Sequence, residues 1–275
     1  MDELREPPRR GTTTEGRCDL GIRVEKDDAI AWVTIDRPEK RNAVNVEIHE
    51  ALRALWPRLE EDEGVRVVVL TGSGDSFCAG ADVRSFLPYL KERIAAGEDP
   101  GDFCGITHRA LAKPLVAAIN GPALGGGLEL ALAADLRLAA GHATFGLPEV
   151  SLGAIAGAGG ITRLPRVIPE AVARDMILTG RTIDARRAYE VGLVSDVVPL
   201  AKLRETVRAV ARQIAENSPR AVALSRSVLN KTDGMALADA LAVERTAFRA
   251  STTTEDFMIG TASFATATKP AFTGR

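Results

Sequence analysis

The chain has 275 residues, 45% of them hydrophobic, and a formal net charge of −2, enough for a full core in one large domain or a domain with an appendage. A near-neutral balance excludes global attraction to nucleic acid or an anionic membrane, so any phosphate recognition must be local. Three scattered cysteines (Cys18, Cys78, Cys104) lack metal-ligand spacing and read as reduced thiols of a cytoplasmic protein, with neither a disulfide framework nor a zinc site.

Residues 1–19 carry acids and prolines where a signal peptide needs an apolar core, and are expected as a disordered extension. A core is expected over 20–200 and a helical segment over 201–275. Residues 29–35 (AIAWVTI) form a strand rich in β-branched and aromatic residues. The loop DRPEKRNAV then packs Arg37, Lys40 and Arg41 within five positions. From Val46 to Glu61, Ile48, Leu52, Leu55, Trp56 and Leu59 recur at helical spacing. VRVVVLTG (65–72) reads as a buried parallel-type strand. After the loop SGDSFCAGAD come two weaker helices, around 83–96 and 103–111. Leu136 to Ala139 is another strand, and 145–160 a Gly-punctuated connection. Asp184 stands as an N-cap and Gly192 near a C-cap before a final strand. Beyond Pro199, residues 201–217, 219–230, 236–250 and 255–264 are helical, with Ser218-Pro219 and Thr252-x-x-Glu255 as start signals. Leu203, Val207, Val210 and Ile214 give the first of these one apolar face, which points to subunit contact. No run spans a bilayer, because 115–140 is cut by Asn120, Pro122, Glu129 and Asp135.

The most informative stretch is 113–135, KPLVAAINGPALGGGLELALAAD. Three consecutive glycines lose backbone entropy that a plain connector would not need to lose. They allow close approach to a ligand, with helix-start N–H groups facing outward. Nucleotide fingerprints fail: after Gly72-Ser73-Gly74 the third glycine would fall on Phe77, and a phosphate loop from Gly121 needs Lys where Gly127 stands. There is no Gly-x-Ser-x-Gly elbow, and His49, His108 and His142 show no pairing with a nucleophile. Two carboxylates survive. Alone, Glu129 would complement a helix dipole by roughly 0.3–1 kcal/mol, and Glu149, in FGLPEV, would be a solvated loop acid. Together, each beside a Gly-rich turn, they make an acid/base pair next to an oxyanion site.

FCAGAD (77–82), INGPALGGGLELALAAD (119–135), FGLPEVSLGAIAGAGG (145–160) and LTGRTIDARRAYEVGLV (178–194) resemble the enoyl-CoA hydratase/isomerase, or crotonase, superfamily, in collinear order from about residue 20 to the C-terminal FTGR. The resemblance implies an α/β fold, a crotonase-like spiral of β-β-α turns with a helical C-terminal oligomerisation segment, assembled as a trimer or dimer of trimers. It implies an acyl-CoA thioester substrate, with no metal or redox cofactor and with coenzyme A as part of the substrate. By position, the backbone N–H groups of Ala81 and Gly126 would hold the thioester oxygen. Glu129 would hold and deprotonate the attacking water, and Glu149 would protonate C2. The full glutamate pair favours a trans-2-enoyl-CoA hydratase over an isomerase; a double-bond isomerase, a specialised dehydratase and a thioesterase are the alternatives. Toward CoA the resemblance places Arg37, Lys40, Arg41, Asp82, Val83 and Arg84, with Phe248 and Phe264 lining the channel. The chain departs from many hydratases at Ala156, where they carry proline, at Ile161, and in the tail, where Lys269 alone stands for a basic cluster. Cys78 reads as a small residue packed in a tight loop.

Overall fold

The computed structural model describes residues 16–18, 20–98 and 102–275. Of the extension expected over 1–19, residues 1–15 and 19 lie outside the described residues, as does the Cys18 side chain. Gly16–Cys18, however, form β1, antiparallel to β2 (Ile22–Asp27), which pairs antiparallel with β3 (Ile30–Ile35). β4 (Val67–Gly72), β5 (Leu115–Ile119), β7 (Leu136–Ala140) and β10 (Asp196–Val198) continue the sheet in parallel, giving the order β1-β2-β3-β4-β5-β7-β10. A small second sheet joins β6 (Ala123–Leu124), β8 (Thr144–Gly146) and β9 (Ile183–Asp184).

Alternation along the strands divides the apolar side chains into two clusters. Ala31, Val33 and Ile35 of β3, Val68 and Leu70 of β4, and Leu115, Ala117 and Ile119 of β5 face one way. They meet α1 (Val46–Glu61) through Ile48, Leu52 and Trp56, and α3 (Gly126–Ala133) through Leu128 and Leu130. On the other face, Ile30, Trp32, Val67, Val69, Val116 and Leu138 meet Leu203, Val207 and Ala211 of α7 (Leu200–Ala215). Each large side chain so buried contributes about 1.5–3 kcal/mol. The apolar face of α7, read in the sequence as a subunit contact, is therefore covered within the chain.

Around these lie α2 (Val83–Ala95), α4 (Gly160–Val167), α5 (Glu170–Thr179) and α6 (Ala185–Glu190). The chain closes with α8 (Pro219–Thr232), α9 (Leu237–Ser251) and α10 (Glu255–Thr266). Two local expectations are corrected. The helix expected at 103–111 is only a 3-10 turn at Phe103–Gly105, because Cys104 and Gly105 take φ of 57° and 75°. α10 is capped by Thr254, which accepts from the Phe257 N–H, and not by Thr252.

Candidate active site

The site forms where three loops meet around the first turn of α3. Gly125 has φ of 53°, and a Cβ there would lie 2.9 Å from Glu149 Oε1. At Gly126 it would strike the Phe103 ring (2.8 Å), and at Gly127 the Cys78 carbonyl (2.0 Å). The three glycines thus admit a carboxylate, an aromatic ring and a backbone segment to one helical turn. Across from them Gly80 packs so that a Cβ would lie 3.1 Å from the Gly126 nitrogen. This brings the CAGAD loop and the start of α3 together. Among the described residues neither the Ala81 nor the Gly126 N–H has an acceptor within the chain. Two unpaired donors on adjoining backbone suit an oxygen that gains negative charge.

The 72–76 turn that leads into CAGAD is held from both sides by buried amides. Asn42 and Asn120 each donate to the Ser76 carbonyl, at 2.7 and 3.0 Å. Asn120 also accepts from the Gly72 N–H at 3.1 Å and donates to the Gly74 carbonyl at 2.8 Å. Sequence reasoning gave these amides no role, although an Asn closing the apolar run LVAAI is a visible signal. Phe103, behind Gly126, was likewise missed; nothing local marks it.

Glu129 is 3% exposed, and its Oε1 accepts from the N–H groups of Ala158 (2.7 Å) and Gly160 (2.8 Å). Burial pushes its carboxyl above the usual range. The two N–H bonds and Arg163 pull against this, while the nearby Glu149 charge adds to it. Glu149 sits in the 3-10 turn Pro148–Leu152, with Oε2 buried and unpartnered; burial raises its carboxyl as well. Two carboxyls of raised pKa beside one pair of free donors are placed to exchange protons with a bound molecule. The Cys78 thiol is buried and pushed up to about 12, so it is inert there.

The residues expected at the CoA end divide. Arg37 Nη1 donates to Asp82 Oδ2 (2.7 Å) and to the Ala43 carbonyl (3.0 Å), while Asp82 Oδ1 caps α2 through the Arg84 N–H (3.2 Å). The Arg37 contact holds the Asp82 carboxyl below its usual range against burial. This pair braces the loop. Lys40, Arg41 and Arg84 are exposed and enter no ion pair among the described residues; Val83 is exposed too. Phe248 and Phe264 lie on α9 and α10, 65% and 92% exposed, and no described contact joins them to the glutamates. Ala156 is buried and Ile161 exposed. Among the described residues no cluster of three His, Cys, Asp or Glu could hold a metal, and no helix is long and apolar enough to cross a membrane.

A family model described as enoyl-CoA hydratase/isomerase matches residues 25–275. The (E)-benzylidenesuccinyl-CoA hydratase of Thauera aromatica is 39% identical over 256 residues, covering 93% of this chain and 100% of that protein. A short-chain-enoyl-CoA hydratase of Clostridium acetobutylicum is 39% identical over 238 residues, covering 85% and 90%. The crystal structure of an enoyl-CoA hydratase from Mycobacterium tuberculosis superposes with a TM-score of 0.86 at 38% identity, over 94% of this chain and 100% of that one.

Proposed function

The chain belongs to the enoyl-CoA hydratase/isomerase family, and from that membership we propose that it adds water to a trans-2-enoyl-CoA to give the 3-hydroxyacyl-CoA. The observation that carries this reading is the carboxyl pair, buried Glu129 and half-buried Glu149, each raised in pKa by burial and bracketing a helix start whose N–H is free. In the proposed reaction the thioester oxygen accepts from the Ala81 and Gly126 N–H groups. These stabilise the enolate-like charge that develops as water attacks C3; losing one such donor typically costs ~10²–10³ in rate. Glu129, anchored through Oε1, has Oε2 without a hydrogen-bond partner among the described residues, available to orient the water and take its proton. Glu149 gives its proton to C2. One proton enters the pair and one leaves, so the cycle closes with the elements of water added across the double bond. The protons belong to the pair as a whole.

The route calls on no metal or redox cofactor, and CoA enters as part of the substrate. Lys40, Arg41 and Arg84, exposed and in no ion pair among the described residues, are the cations proposed to meet its phosphates; Arg37 and Asp82 hold the loop that presents them. The test is the loss of enoyl-thioester absorbance with crotonyl-CoA and with a longer trans-2-enoyl-CoA. Turnover by the wild type that falls about 10²–10⁴-fold in Glu149→Gln, with the fold intact, is the expected result. Dependence on Glu129 or Glu149 alone would indicate an isomerase, and release of free CoA a thioesterase.

A further inference from the structure

Glu129 is anchored to a turn that has few means of holding itself. The segment AGAGG (156–160) supplies the two N–H groups on Oε1 and almost no side chain of its own. One side chain folds back over it. Arg163, in the first turn of α4, donates through Nη1 to the Ala158 carbonyl at 3.5 Å and through Nη2 to the Thr107 carbonyl on a separate stretch of chain. Its guanidinium lies so close over Gly159 that a Cβ there would meet Nη1 at 1.9 Å.

We propose that Arg163 is a positioning residue for Glu129: it pins the 158–160 turn, and with it the carboxylate, to residues 102–108, and it places a positive charge against that buried acid. The same stretch holds the other half of the site. The Phe103 ring backs Gly126, and the Phe103 N–H donates to the Thr107 hydroxyl at 2.8 Å. The free N–H and the glutamate are therefore referenced to one short segment. The task needs the planar fork of arginine, since two carbonyls from different segments are bridged by one rigid group. Two charged groups face Glu129: Glu149, from the 148–152 turn, opposes its ionisation, and Arg163, from α4, favours it. The influence is mutual, because Glu129 counters the burial that lowers the Arg163 pKa.

This inference rests on Glu129 as the proton acceptor of the proposed hydration, so the experiment reads the carboxyl without turnover as well as with it. The protonated-carboxyl infrared band is titrated in the full-length protein, with Glu129 identified by its loss in Glu129→Gln. In Arg163→Gln the Glu129 titration is expected to move upward, and with crotonyl-CoA kcat is expected to drop about 10²-fold with KM little changed. The acid limb of kcat should move up in step with the infrared titration. Arg163→Lys keeps the charge without the fork, so it should restore the limb and only part of kcat. An unchanged Glu129 titration and wild-type kcat in folded Arg163→Gln would overturn the proposal. A shifted titration in a protein that hydrates neither substrate would sustain the placement of Arg163 and remove only the hydratase reading. Should Arg163→Gln not fold, Arg163→Lys decides: full wild-type kcat there overturns the need for the fork, and a partial loss supports it.

Discussion

Glu149 carries a cost that its surroundings do not offset. Its Oε2 is buried without a partner, and burial holds the carboxyl above its usual range. An acid whose folded pKa is raised favours the fold in its protonated form. The favourable state is fully present below the unfolded pKa, near 4.3 in model peptides, and is lost as pH rises through the folded value. Glu149→Gln, neutral throughout, should therefore melt higher than the wild type at pH 8, and the difference should close toward pH 4. Each kcal/mol of relieved burial is worth roughly 2–4 °C in a domain of this size, readable by thermal melts at the two pH values. The same substitution should abolish most turnover, an exchange of activity for stability. Equal melting at pH 8 would mean that the carboxyl is solvated and is no acid catalyst. Glu129 and Glu149 were legible because each stands beside glycines in a motif. Arg163, Asn42, Asn120 and Phe103 were not, because their partners lie 5 to 56 residues away and only folding brings them into contact.

Elements with long apolar periodicity were the easiest to read. The helix expected over Val46–Glu61 forms over those residues, and the strands at 29–35 and 65–72 differ from theirs by one or two positions. β2 escaped notice although IRVEKD alternates, since a six-residue strand with two apolar side chains barely exceeds a loop in pattern. Least visible were the ties that hold the C-terminal helices. Buried Asp256, in the first turn of α10, accepts from the N–H groups of Thr273 (2.7 Å) and Gly274 (3.0 Å) and from the Ser218 hydroxyl (2.6 Å). Ser218 caps α8 in turn, through the Ala221 N–H. Burial alone would raise the Asp256 carboxyl, but the Ser218 hydroxyl and the Gly274 and Thr273 N–H groups outweigh it and hold it below its usual range. Its contribution is thus present above the unfolded aspartate pKa, about 3.9, and is lost as pH falls through the folded value. Asp256→Ala leaves these donors unpaired and should cost about 3 kcal/mol, seen as a lower urea midpoint at pH 7. The deficit should shrink in acid; a deficit that is constant with pH would assign the loss to packing instead.

At the scale of the whole molecule, the sheet is finished within one chain and the C-terminal helices are not. α7 and the α1/α3 layer cover both faces of the sheet. Beyond them, Leu229, Leu237, Phe248, Met258 and Phe264 of α8–α10 are each 65% exposed or more. Monomers rarely leave contiguous apolar patches of more than a few hundred Å² in water, and a stable self-association buries about 800 Å² per partner. A second copy of this chain is the proposed cover, in keeping with the trimer or dimer of trimers that the sequence resemblance implies. Sedimentation at micromolar concentration should give at least three times the 29.2 kDa chain mass. Paired Leu229→Glu and Leu237→Glu should shift the distribution toward the single chain, because each would bury a charge in the interface. Phe248 and Phe264 are the residues through which this assembly is proposed to reach the chemistry. If α9 and α10 help to form a CoA channel only when a neighbour orders them, the dissociated variant should show a raised KM while its Glu129 and Glu149 still titrate as in the wild type. A dissociated variant with wild-type KM would separate the two and confine the CoA contacts to Lys40, Arg41 and Arg84. A single-chain mass for the wild type would leave the apolar helices without their proposed partner.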